Sequence, residues 1–171
     1  MSKTKCKKIA YLALIIIWMI IVFMFSNQNG EQSQKTSNSV TEIIVQILTN
    51  NQNITEEEKS ILIDNADFII RKLAHFTIYL IGGMLILNYI NTFGIETKKK
   101  FIISMMIGVS YAAFDEFHQY FVAERSAQIL DVCIDSLGII TGVILISLIK
   151  KWGEVYHERK GCRNDWNTCG Q

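Results

Sequence analysis

The chain has 171 residues, is half hydrophobic, and carries a formal net charge of +1. That length suits one domain, and the near-neutral charge gives no argument for a nucleic-acid partner, so none is expected. The hydrophobic residues are concentrated in long runs rather than spread as in a soluble core, which favours an integral membrane protein.

Four apolar runs predict four membrane-spanning helices. A helical span needs about 20 mainly apolar residues, and the runs at 9–25, 73–90 and 129–149 meet this requirement. The third run, 101–121, does so only if it continues through Asp115, so its outer end must tolerate charge. The sequence therefore predicts an all-α, integral membrane four-helix bundle, with a transmembrane domain at 1–150 and a polar tail at 151–171.

The distribution of Lys and Arg predicts the orientation. With the N-terminus inside, twelve of these residues lie in cytoplasmic segments and five on the other side, so both termini are expected in the cytoplasm and the chain in the plasma membrane. The first run follows four lysines and could alternatively be a signal peptide. Its length and the SNQNG that follows it are a poor match to a cleavage site, so we expect an uncleaved helix.

The outer segment at 26–72 is expected to contain two short amphipathic helices. Ser39 to Glu42 and Thr55 to Glu58 both have the form of a capping box, and apolar residues at helical spacing follow each one. Such helices would cap the bundle, or would form a lid or docking surface over it.

Polar side chains gather at the outer ends of all four predicted spans. Arg71, His75 and Tyr79 are spaced i, i+4 and i+8, so they share one face of the second helix. An ionisable group inside a membrane costs roughly 2.5–3.5 kcal/mol, so a chain that keeps several together is either pairing them or using them. The sequence predicts a polar pocket in the outer half of the bundle, built from Ser26–Gln28, Arg71–His75, Asp115–Gln119 and Arg125–Asp135.

Four motifs in this order resemble the VanZ-like family, over about Ile9 to Ile149. They are FSNQ, RKLAHFTIY, DEFHQYFVAERS, and D-x-x-x-D followed by LG. The family is named for a membrane protein of glycopeptide-resistance clusters, so the resemblance implies a role in the cell envelope and in resistance to the antibiotic teicoplanin. It implies a polar signature at Ser26, Gln28, Arg71, Lys72, His75, Tyr79, Asp115, Glu116, His118, Gln119, Arg125, Ser126, Asp131 and Asp135.

Two positions depart from the family pattern. Ala123 and Glu124 stand where family members usually have Pro-Gly, which makes this turn less constrained. Asp135 stands where many members have Asn, which adds a negative charge. We predict that the signature residues from Arg71 to Asp135 form the binding site.

Three interpretations of this cluster stay open from the sequence. It could be a structural core in which Arg71 and Arg125 pair with Asp115, Asp131 and Asp135, and in which His75 and His118 are hydrogen-bonded. It could bind an anionic membrane lipid, a lipid-linked cell-wall intermediate or an amphiphilic glycopeptide, since guanidinium groups match phosphate and carboxylate. It could also be a membrane-embedded enzyme that performs acid–base chemistry on an envelope lipid or precursor, with His75 or His118 oriented by Asp115 as the general base. Its catalytic candidates are His75, Asp115, His118 and Asp131.

No cofactor or metal is expected from the sequence. It contains no nucleotide-binding loop, no H-E-x-x-H pair and no CxxC, and its four cysteines form no disulfide framework.

Overall fold

The computed structural model describes residues 2–49, 55–123 and 128–168, with side chains at all of these positions except 48, 49, 56, 59, 154 and 157–168. This part of the chain folds into five α-helices and contains no strand. The predicted all-α class is therefore confirmed. The helices are α1 (Lys3–Ser26), α2 (Gly30–Thr49), α3 (Glu56–Ile90), α4 (Thr97–Gln119) and α5 (Ile129–Thr168).

Within the described residues, three helices rather than four are long and apolar enough to cross a membrane. These segments are Lys3–Ser26, Ser60–Ile90 and Ile129–Gly153. The predicted third span, in α4, is not among these three, because the part of α4 without charge, Phe101–Phe114, has only 14 residues. That is about 21 Å of helix, so a crossing of about 30 Å of hydrocarbon also needs the turn of α4 that carries Asp115 and Glu116.

The segment between the first two spans also differs from expectation. The first helix there does not start at Ser39; it starts at Gly30, where the side chain of Asn29 accepts a hydrogen bond of 2.8 Å from the backbone N–H of Gln32. The second does start after Thr55, whose capping box with Glu58 is formed. The backbone N–H of Thr55 donates to the Glu58 carboxylate and thereby lowers the pKa of Glu58.

The helix that starts after Thr55 is not a separate short element. It continues without a break into the second span as the 35-residue α3. The first turns of α3 therefore share one helix axis with the second span. One continuous helix joins the outer segment to the membrane segment.

Helix α3 is the centre of the fold, because it contacts each of the other four helices. Its middle turn carries a small aromatic cluster, in which Trp18 of α1 lies edge-on to Tyr79 with ring centroids 5.9 Å apart. The Trp18 indole N–H donates to the carbonyl oxygen of Ile78 at 2.8 Å, which joins α1 to α3. Most of the large apolar side chains of α1, such as Ile17 and Ile20, are exposed, as expected of a helix that faces lipid.

Candidate functional site

A cavity of about 290 Å³ lies between α1, α2, α3 and α4, at the end of the fold where α1 and α4 terminate and α5 begins. Both apolar and polar residues line it. The polar residues come from all four helices and from the turn after α1. They are Ser26, Gln28, Ser33, Thr36, Ser37, Arg71, His75, Tyr79, Asp115 and Gln119.

Asp115 is the acidic residue that lines the cavity, and it is hydrogen-bonded. It is 4% exposed, and its Oδ2 atom accepts from the Tyr79 hydroxyl at 2.8 Å and from Gln119 Nε2 at 3.2 Å. Tyr79 is itself 1% exposed and belongs to α3, so this network connects α3 with α4. Two donors hold the carboxylate in one orientation beside the cavity.

Replacing Tyr79 by phenylalanine is expected to lower the free energy of unfolding by about 1–3 kcal/mol, because a buried carboxylate then loses a donor. Tyr111→Phe is the matched control. The Tyr111 hydroxyl donates to the carbonyl oxygen of Met19 at 3.1 Å in an exposed position, so its loss is expected to change stability by less than about 1 kcal/mol. Thermal unfolding of both variants in detergent measures this, and equal losses would contradict a special role for the Tyr79–Asp115 bond.

Arg71 is held at the cavity by a neighbour in its own helix. Its Nη2 atom lies 2.7 Å from Asp67 Oδ2, and the other oxygen of Asp67 accepts a hydrogen bond from Ser37 of α2. The Nε atom of Arg71 is buried and has no hydrogen-bond partner among the described residues. The side chain as a whole is 37% exposed and lines the cavity, so the guanidinium group borders the cavity although its Nε atom is buried.

Two further ion-pair contacts lie between α3 and α5. Lys72 pairs with Asp131, and both side chains are largely buried. His75 Nδ1 lies 3.4 Å from Asp135 Oδ1, although neither atom makes a hydrogen bond that meets normal geometry within the described chain. Neither aspartate lines the cavity. Helix α5 therefore contacts the α3 residues of the site but does not form the cavity wall.

The remaining predicted residues are more dispersed. Glu116 is 4% exposed and accepts a hydrogen bond of 2.6 Å from the backbone N–H of Gln128, so it faces the start of α5. The His118 ring packs against Phe23 of α1, with centroids 5.0 Å apart. Neither side chain lines the cavity. Two predicted residues, Arg125 and Ser126, lie outside the described residues.

These contacts differ from the pairings considered from the sequence. The acid beside His75 is Asp135, not Asp115, and the acid that pairs with Arg71 is Asp67, four residues earlier in the same helix. The arrangement positions a guanidinium, an imidazole and a carboxylate around one cavity, but it does not place either histidine against Asp115.

Sequence reasoning missed the contribution of α2 and of Asp67. Ser33 and Ser37 are spaced i, i+4 on α2, and Asp67 precedes Arg71 by four residues; each spacing is a signal for one shared helix face. Their proximity to the first span depends on how α2 packs, and no local pattern gives that.

The described residues contain no group of three or more His, Cys, Asp or Glu arranged to hold a metal ion. The cavity instead offers the guanidinium group of Arg71, the imidazole of His75, the carboxylate of Asp115 and several hydroxyl and amide groups, together with apolar side chains.

A comparison with protein-family models identifies the chain. The model of the VanZ/LLP1 family matches residues 11–150. The chain belongs to this family. Searches of curated proteins and of solved structures give no match. The matched residues of this VanZ/LLP1 member include the second candidate span, most of the other two, α2, α4 and every residue that lines the cavity.

Proposed function

We propose that this VanZ/LLP1 protein binds the anionic head of an amphiphilic envelope molecule, a membrane lipid or a lipid-linked cell-wall intermediate. The observation that carries the proposal is the cavity beside Arg71. The guanidinium group and the imidazole of His75 line it together with the Asp115 carboxylate, and so do the apolar side chains of Val22, Phe25 and Ile70. A charged head and the start of an acyl or prenyl chain would both find a matching surface.

The size of the cavity limits the ligand. About 290 Å³ is at the lower end of the range of roughly 300–1,000 Å³ for sites that enclose drug-sized molecules. A phosphate or pyrophosphate group with part of a sugar fits such a space, whereas a whole glycopeptide antibiotic exceeds it. We therefore propose that a contribution to teicoplanin resistance would act through an envelope lipid rather than through capture of the antibiotic.

In this proposal α4 completes a four-helix bundle as a shorter fourth span. Its exposed apolar residues, including Ile102, Met106 and Phe114, are compatible with contact to lipid, and its charged end would lie at the level of the outer headgroups. The same topology puts the Arg71 cavity on the outer side and both termini in the cytoplasm, in agreement with the Lys and Arg distribution.

Native mass spectrometry of the protein in mild detergent tests the proposal. A phosphate-bearing lipid is expected to remain bound to the wild type and to be lost from Arg71→Gln. Lys35→Gln is the matched control, because Lys35 is an exposed cation on α2 that pairs with Glu31 away from the cavity wall. It removes the same charge and is expected to retain the lipid.

The stability of Arg71→Gln separates binding from a structural role. The Arg71 side chain is 37% exposed, so the loss of its ion pair with Asp67 should change stability by no more than about 1 kcal/mol. A susceptible Gram-positive strain that produces each variant at equal abundance gives the cellular readout, the teicoplanin concentration that stops growth. A lipid bound equally by wild type and Arg71→Gln would overturn the proposal.

A further inference from the structure

A second cavity lies at the opposite end of the helices, between the turn that joins α3 to α4 and the middle of α5. Its volume is about 770 Å³, and four of the residues that line it are Lys98, Lys100, Lys150 and Lys151. None of the described residues around it is acidic. The positive charges of Lys98, Lys100 and Lys151 around one space repel each other, and a bound anion relieves that repulsion.

The acidic residue of the nearby turn does not neutralise this cluster by direct contact. Glu96 lies 3.8 Å from Lys99, and Lys99 does not line the cavity. Helix α4 begins at Thr97, which does line it. The first backbone N–H groups of a helix carry partial positive charge, so α4 adds to the attraction for an anion that the lysines create.

Apolar side chains also line this cavity. Leu87 and Phe101 line it, together with Ile102, which is 55% exposed on the outer surface of α4. The cavity therefore has a cationic part and an apolar part that continues onto the surface of the helices. A free phosphate ion would use only the first part, whereas a phospholipid would use both.

The position along the helices agrees with a headgroup site. Asn91, which lines the cavity, follows Arg71 by 20 residues, or about 30 Å along α3. This equals the thickness of the hydrocarbon core, so one cavity lies at each face of a membrane that α3 crosses. Basic pockets between spanning helices are known recognition sites for anionic lipid headgroups.

We propose that this lysine-lined cavity binds the phosphate-bearing headgroup of an anionic membrane phospholipid. Phosphatidylglycerol is a suitable probe of that class. The site is separate from the Arg71 cavity, and it does not depend on the function proposed for that cavity. A lipid bound there would hold the α3–α4 turn and α5 at the leaflet that lies beside the lysine-rich loops.

Photocrosslinking to the full chain tests this proposal. The purified protein in detergent is exposed to phosphatidylglycerol with a photoreactive group near its headgroup, and the labelled peptides are mapped by mass spectrometry. Label is expected on the segments 87–102 and 147–151. Unlabelled phosphatidylglycerol should compete at least roughly tenfold better than phosphatidylcholine, whose headgroup has no net charge.

Two soluble competitors distinguish a lipid site from a phosphate site. Inorganic phosphate and glycerol phosphate, added at constant ionic strength, carry the same anion without acyl chains. They are expected to compete at least roughly tenfold more weakly than the lipid, because they leave the apolar wall unfilled. Equal competition by glycerol phosphate would overturn the assignment to a phospholipid, and so would label spread evenly over the spans.

The lysines are tested with variants matched in charge. Lys100→Gln with Lys151→Gln should lower the crosslinking yield roughly tenfold or more. Lys3→Gln with Lys5→Gln removes two exposed cations from the same end without touching the cavity and should leave the yield unchanged. Lys100→Arg with Lys151→Arg keeps the charge and should retain labelling, so it remains informative if the glutamine pair unfolds. Loss of labelling in the Lys3/Lys5 pair to the same extent would refute the site.

Discussion

Replacing Gly142 by alanine is expected to lower the thermal stability of the protein strongly, because α3 and α5 approach each other there at backbone distance. A Cβ atom at Gly142 would lie 2.1 Å from the carbonyl oxygen of Leu80, and one at Gly138 would lie 2.5 Å from that of Phe76. Backbone atoms cannot rotate away as a side chain does. Overpacking of this kind costs typically about 1–3 kcal/mol, so we expect the melting temperature in detergent to fall by about 5 °C or more.

Gly153 provides the matched control on the same helix. A Cβ atom there meets nothing within 4 Å, and alanine improves helix propensity over glycine by up to about 1 kcal/mol. The melting temperature of Gly153→Ala should therefore be unchanged or slightly higher. If Gly142→Ala and Gly153→Ala unfold at the same temperature, α3 and α5 do not depend on the contact at Gly142.

The fold was predictable from the sequence where one local property decides it. Long apolar runs identified the three candidate spans. The capping pattern at Thr55 correctly gave the start of α3. The same kind of pattern at Ser39 failed, because the Ser39 hydroxyl donates to the carbonyl oxygen of Lys35 inside α2. A serine in a helix and a serine at its start look alike in sequence.

The length of α3 could not be read from local patterns either. No glycine or proline marks a stop between Glu58 and Arg71, yet the polar residues before the apolar run suggested two elements. Helical hydrogen bonds continue through such a boundary because no residue there opposes them. The change from polar to apolar residues marks the point where α3 enters a different environment. The helix does not end at that point.

The candidate site was predictable as a set of residues and less so as a set of contacts. Helical spacing placed Arg71, His75 and Tyr79 on one face, and all three line the cavity. The partner of each one depends on how the helices rotate against each other, which periodicity within one helix cannot fix. His118 shows this most clearly, because it lies one turn after Asp115 and yet packs against Phe23 of α1.

In the described part of the chain, two polar contacts join α3 and α5, and the contact of His75 with Asp135 contains the more deeply buried acid. Asp135 is 0% exposed, and neither of its carboxylate oxygens has a hydrogen-bond partner among the described residues. His75 Nδ1 lies 3.4 Å from Asp135 Oδ1. A buried carboxylate that loses its partner is strongly destabilising, by about 3–5 kcal/mol in buried ion pairs.

His75→Leu is therefore expected to destabilise the protein by about 3 kcal/mol, and Asp135→Asn by much less, since the amide removes the charge and keeps the shape. The combined variant His75→Leu with Asp135→Leu should recover at least about 1 kcal/mol relative to the sum of its single variants, as expected for residues in contact. Melting temperatures and denaturant unfolding of the four proteins measure the coupling. Strictly additive losses would mean that the 3.4 Å contact contributes no stabilisation, and that His75 serves the cavity alone.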